Sequence, residues 1–223
     1  MLRLKAKTEA LLKIYETMLV HFGPRGWWPG ETREETIVGA ILTQNVAWRN
    51  VEKAIANLKA ADLLSLAKLH QAPAEIIEPL VIPSRFYKQK TKKIKDFTAF
   101  LFGEHGGDLD RMFSLGERKL RPKLLAIKGI GPETADCILL YAGFLPSFTC
   151  DAYTRRIFGR LGFFNKDATY EEMRNFFMRH LPHQVPLFNE FHAQIDGIGH
   201  HYCQPKAPRC DECPLSGLCK KKN

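Results

Sequence analysis

The sequence lacks any apolar run long enough to cross a membrane; the longest, Cys137 to Pro146, falls far short of the roughly 18 residues a span requires. Its N-terminus has neither the apolar core nor the small-residue cleavage site of a signal peptide. A soluble chain that works in the cytoplasm without a membrane is therefore expected. No segment alternates as a half-buried strand does, no stretch repeats another, and no low-complexity linker interrupts the chain. With 45% hydrophobic residues over 223 positions, disorder is excluded as well. Acidic residues are scarce: 24 Asp and Glu face 33 Lys and Arg, a formal net charge of +9. Such a surface attracts phosphate backbones, anionic membranes or acidic proteins.

What is present reads as helix. Leu11, Leu12, Tyr15, Leu19 and Phe22 recur at helical spacing over Glu9 to Phe22, before the turn-rich Gly23-Pro24-Arg25-Gly26 and then Trp27-Trp28-Pro29-Gly30. Thr32 with Glu35 three residues on forms a capping box, opening a helix through Ile37, Val38, Ala40, Ile41 and Leu42. Further helices are expected over Trp48 to Lys59, Leu63 to His70, Lys90 to Phe102, Glu117 to Ile127, Pro132 to Ala142, Tyr153 to Leu161 and Ala168 to Leu181. Short helices joined by Gly/Pro turns predict a compact all-α fold.

Six cysteines in an intracellular chain do not read as a disulfide framework. Cys137 and Cys150 stand apart, whereas Cys203, Cys210, Cys213 and Cys219 form C-x6-C-x2-C-x5-C near the C-terminus, stiffened by Pro205, Pro208 and Pro214. Four thiolates so spaced can wrap one metal centre, and the chemistry alone admits either zinc or a [4Fe-4S] cluster.

Between two helical patterns, Ile127-Lys128-Gly129-Ile130-Gly131-Pro132 makes a sharp turn. Pro132 suits the first turn of a helix whose exposed amides can bind a phosphate oxygen. Asp151 stands eighteen residues past Glu133, where the next helix begins. By itself an Asp there is a helix cap.

The cysteine spacing at the end of an all-helical chain, the G-x-G hairpin and the Asp beyond it together resemble the endonuclease III superfamily of helix-hairpin-helix DNA glycosylases. The resemblance implies the two-domain all-α fold of that family: residues 32–140 as a central helical domain with the hairpin, and 1–31 plus 141–223 as a second with the cluster loop (203–219). The damaged base would enter a cleft between them. It implies a [4Fe-4S] cluster on the four cysteines, zinc being the alternative, and places Lys206 and Arg209 on a rigidified loop facing DNA. Asp151 becomes the catalytic carboxylate, stabilising positive charge on the sugar and orienting the attacking water. Strand-cutting members carry a Schiff-base lysine two residues after the second hairpin glycine, and here that residue is Glu133. A carboxylate cannot form a Schiff base, so hydrolysis without lyase chemistry is expected.

Ala40-Ile41-Leu42-Thr43-Gln44-Asn45 looks like the segment whose glutamine fills the gap left by a flipped base. Gly39 stands where adenine-excising members carry an acid. Trp27, Trp28, Pro29 and Trp48 match the aromatic pocket of the 3-methyladenine DNA glycosylase subgroup, where a cationic N-alkylated purine is held by stacking and cation–π attraction. Arg85 to Lys95 carries six basic residues and no acid over eleven positions. Arg85 and Lys88 are expected on the DNA backbone and Phe86 as a wedge, with Lys128, Gly129, Ile130 and Gly131 contacting DNA through the hairpin. The expected partner is double-stranded DNA containing a damaged base, bound by a monomer in the cytoplasm at chromosomal DNA. The alternatives are a glycosylase/lyase for oxidised pyrimidines, a mismatch thymine or uracil glycosylase, and a non-enzymatic cluster-bearing DNA-binding protein.

Overall fold

The computed structural model describes residues 2–220, and among these it holds helices and no strand. In chain order they are α1 (Leu2–Phe22), α2 (Arg33–Leu42), α3 (Trp48–Ala60), α4 (Leu66–Gln71), α5 (Ala74–Val81), α6 (Tyr87–His105), α7 (Leu109–Phe113), α8 (Gly116–Ala126), α9 (Pro132–Cys137), α10 (Ala152–Arg160), α11 (Tyr170–His180) and α12 (Val185–His201). A 3-10 turn at Ile82–Ser84 leads into α6, and a π-helical turn, Ile138–Ala142, follows α9. No helix among the described residues is long and apolar enough to cross a membrane. The chain divides into two compact units, one of Pro29–Leu145 and one of the residues up to Trp28 together with those from Pro146 onward.

The unit of Pro29–Leu145 is organised around α2. Thr32 caps it, accepting the Glu35 N–H at 3.1 Å. The second half of the expected capping box is displaced by one residue. The Glu35 carboxylate takes the N–H of Glu31 at 3.3 Å and the Lys59 ammonium at 3.0 Å. Every residue from Glu35 to Leu42 is buried, so α2 is apolar all round and serves as a core helix for α3, α6, α9 and the π-helical turn. Arg121 of α8 makes a two-pronged bond to the fully buried Asp136 of α9, at 2.8 and 3.0 Å, locking the helices on either side of the hairpin.

The other unit packs α1 on α11 and α12 through Leu11, Ile14 and Met18. Its core is rich in phenylalanine. Phe148 stacks on Phe177 with ring centres 4.1 Å apart, Phe158 meets Phe177 edge-on at 4.9 Å, and Phe191 of α12 closes the cluster against Phe148 at 5.8 Å. α12 is not among the helices the sequence pattern predicts. Gly197 and Gly199 interrupt its apolar recurrence because other groups press there: an added Cβ would lie 2.6 Å from the Arg25 guanidinium at Gly197 and 2.4 Å from the Tyr153 ring at Gly199.

Removing the Phe177 ring, which is fully buried and shared by Phe148, Phe158 and Phe191, should destabilise this unit by about 3–5 kcal/mol. Urea denaturation of Phe177→Ala should show the midpoint lowered with the helical signal of the native state retained.

Candidate active site and nucleic-acid interface

Asp151 begins α10 from an extended backbone, immediately after the buried Phe148-Thr149-Cys150. Its two oxygens are divided. Oδ1 accepts the Thr154 N–H at 2.7 Å and the Thr154 hydroxyl at 2.9 Å, while the Asp151 N–H donates to Thr154 Oγ1 at 3.3 Å. Oδ2 faces α12, 3.8 Å from Nε2 of the buried His192. The helix start favours the anion and the cap fixes its direction. Around it lie Asp196, Tyr153 and Arg25. Burial raises the Asp196 carboxyl, offset in part by His192 and Arg25. Burial likewise raises the Tyr153 phenol, with Asp196 and Asp151 adding to the shift. Sequence reasoning missed His192 and Asp196 because the helix bearing them was missed.

In the other unit, the hairpin runs from Ile127 to Gly131 between α8 and α9. Ile127 and Ile130 are buried, Lys128 is exposed, and Gly129 adopts a φ of +88°. A Cβ at Gly129 would also lie 2.7 Å from the Lys93 stem, so glycine is required twice over. Gln44 is docked on this turn: its amide nitrogen donates to Thr134 Oγ1 at 2.8 Å and to the Gly129 carbonyl at 3.2 Å, and Lys93 donates to its oxygen. Glu133 is exposed in the first turn of α9.

The basic run does not form one charged edge. Lys90 is 2% exposed and donates to the carbonyls of Leu42, at 2.7 Å, and Ser84. Lys95 donates to the carbonyls of Ala72 at 2.8 Å and Leu69 at 3.1 Å, and Lys92 pairs with Asp96 at 3.0 Å. Besides the paired Lys92, the tip stays outward: Arg85, Phe86 and Lys88 are exposed. Arg85 and Phe86 both take left-handed backbone angles, φ +58° and +45°, a strained corner that presents the Phe86 ring.

Trp27 and Trp28 meet edge-on, ring centres 5.8 Å apart, and both are half-buried. The buried Trp27 indole N–H has no acceptor among the described residues. Pro29 is exposed, and Trp48 is half-buried at the first position of α3.

Cys203, Cys210, Cys213 and Cys219 all line one cavity of about 420 Å³. Among the described residues, no three His, Cys, Asp or Glu side chains draw together as ligands of a single ion. Two arginines beyond Asp151 serve this loop: Arg160 reaches Cys203 Sγ at 3.2 Å and the Gln204 and Pro205 carbonyls at 2.8 and 3.1 Å, and Arg156 donates to the Cys203 carbonyl at 2.6 Å. Lys206 is exposed, and Arg209, also exposed, pairs with Glu212.

Residues 38–183 match the family pattern of HhH-GPD superfamily base excision DNA repair proteins. A Methanocaldococcus jannaschii protein described as a candidate DNA repair glycosylase is 43% identical over 97% of this chain and 98% of its own length. Among solved structures, a Helicobacter pylori 3-methyladenine DNA glycosylase bound to 1,N6-ethenoadenine superposes with a TM-score of 0.73 at 27% identity, covering 85% of this chain and 95% of that one. An endonuclease III–DNA complex superposes with a TM-score of 0.80 at 21% identity, covering 96% and 95%. The chain belongs to the HhH-GPD superfamily and is a DNA glycosylase of base excision repair.

Burial, with the neighbouring Lys93 ammonium, holds the Lys90 amine down to about 8, against 10.5 for an ordinary lysine. Between those values the unfolded chain binds a proton that the native state does not, so native stability rises with pH across this window. Urea denaturation from pH 7 to 10 should show wild type gaining on Lys90→Met above pH 8, with no relative change below it.

Proposed function

We propose that this glycosylase is monofunctional and hydrolyses the N-glycosidic bond of an N-alkylated purine, such as 3-methyladenine, flipped out of double-stranded DNA. The observation that carries the absence of lyase chemistry is Glu133, which occupies the hairpin position where a Schiff-base lysine would be required. Asp151 then acts alone at the sugar. Its carboxylate is held by the cap with Oδ2 outside it, so the anion can stabilise the positive charge that grows on the sugar and direct water at the anomeric carbon.

The substrate class rests on charge. An N-alkylated purine is cationic and leaves as a neutral base, so no acid is needed to protonate it, and none stands at Gly39. The ring faces of Trp27 and Trp28 offer cation–π attraction of about 0.5–2 kcal/mol for each good contact. The H. pylori glycosylase bound to 1,N6-ethenoadenine supports a purine adduct as substrate. Gln44 supplies the gap-filling amide, the exposed Phe86 the wedge, and Arg85, Lys88, Lys128, Lys206 and Arg209, with the hairpin backbone of Gly129, Ile130 and Gly131, the backbone contacts. The protein acts as a monomer in the cytoplasm, at chromosomal DNA.

The four cysteines line one cavity, and their all-sulfur donor set suits a [4Fe-4S] cluster, with zinc as the alternative. The cluster would fix the loop that carries Lys206 and Arg209, while every step at the sugar belongs to Asp151 and water.

Duplex oligonucleotides carrying methylated purine, uracil, a thymine mismatch or an oxidised pyrimidine, assayed with and without alkali, test this function. Methylpurine release should dominate, breaks should appear only after alkali, and Asp151→Asn should lose at least about a hundredfold in single-turnover rate. Strand breaks without alkali would overturn the monofunctional assignment.

A further inference from the structure

We propose that His192 is a positioning residue that acts through Asp151, receiving by way of the Asp151 carboxylate the proton released when water attacks the sugar. The inference rests on the glycosidic hydrolysis proposed above and adds where that proton goes. The geometry is local to one unit. Oδ1 of Asp151 is occupied by the cap of α10, whereas Oδ2 faces His192 Nε2 at 3.8 Å, an ion-pair separation. His192 is 6% exposed, so it is set by packing and not swept through solvent. One helical turn further along the same face of α12 stands Asp196, half-buried and within electrostatic reach of both His192 and Asp151. A half-buried carboxylate, a buried imidazole and a second half-buried carboxylate thus stand together.

The step balances. The water oxygen bonds to the anomeric carbon as the C–N bond breaks, and the electron pair of that bond leaves with the cationic base, which departs neutral. The water proton passes to Asp151 Oδ2 and on to His192 Nε2, leaving Asp151 an anion again and His192 an imidazolium beside two carboxylates. Other charged groups facing this site are Arg25, which approaches Asp196 at 3.6 Å, His200 on α12, and Tyr153 with Arg156 stacked over its ring at 4.9 Å. The arginines among these keep their charge throughout, so of the groups beside Asp151 Oδ2 the imidazole is the one that can take up a proton.

Single-turnover release of methylpurine from duplex DNA, followed from pH 5.5 to 8.5, tests this. The wild-type rate should rise with pH along one limb, because only neutral imidazole can accept the proton. His192→Gln should lower the plateau by about a hundredfold and flatten that limb, with duplex affinity changed less than about twofold. Asp196→Asn, which keeps the imidazole but removes a carboxylate favouring its charged form, should move the limb to lower pH. This second variant decides the matter if His192→Gln fails to fold. Asp151-dependent excision whose pH limb is unmoved in the variants would overturn the His192 role and leave the glycosylase function standing. If wild type excises another lesion but no methylpurine, the substrate assignment falls and the same pH series on that lesion decides the relay. No excision of any lesion by wild type would sink both.

Discussion

A carboxylate that begins a helix is constrained in a way that few surface side chains are. One oxygen of Asp151 is held by two hydrogen bonds from Thr154, and the amide that precedes the helix is bound back to the same threonine. The other oxygen is left directed at α12. The rest of this unit is arranged to keep that direction. Phe148, three residues before the aspartate, is clamped in the phenylalanine cluster, and Gly199 of α12 admits the Tyr153 ring against the helix backbone. The cap carries both stability and orientation, so the local structure that starts α10 is also what aims the charge.

The same economy governs the positive charge. A chain with a net charge of +9 invites the reading that its lysines and arginines coat a DNA-binding face, yet several of them donate to the protein's own carbonyls. Lys90 and Lys95 terminate helices and turns by taking up carbonyls that would otherwise lack donors, and Lys93 fastens Gln44 to the hairpin. Arg156 and Arg160 do the same for the cysteine loop. A buried ammonium is costly to desolvate, and the carbonyls of Leu42 and Ser84 offset that cost while joining the end of α2 to the corner that presents Phe86. Two segments that are far apart in sequence are thereby registered against each other by one side chain.

Much of this was legible in the residues. Thr32 announces α2, the Gly129-Ile130-Gly131 turn announces the hairpin, and the spacing of Cys203, Cys210, Cys213 and Cys219 announces the one cavity they line. Asp151 is recognisable as a cap before any fold is known. Three things were hidden for physical reasons. α5 holds Pro79, which reads as a helix breaker, and its neighbours supply the burial that offsets it. α12 begins with a proline at its first turn and carries glycines where Arg25 and Tyr153 press on it, so its apolar period is broken by contacts formed only in the folded unit. The inward lysines look identical in sequence to the outward ones, because what separates Lys90 from Lys88 is which way α6 turns each of them.

The charge balance of the reaction joins these pieces. For a neutral base, departure creates an anion, and a site must supply an acid near the leaving nitrogen. For a cationic purine the base leaves neutral, and the only proton to be managed is the one water loses. A site for such a substrate therefore requires an acceptor beside the sugar and no donor beside the base. The reaction proposed above would use that asymmetry: glycine stands at position 39, and the Asp151 carboxylate has the buried His192 imidazole 3.8 Å from it. In the proposed reaction a missing acid and a proton acceptor answer one constraint, and that constraint is set by the charge of the base.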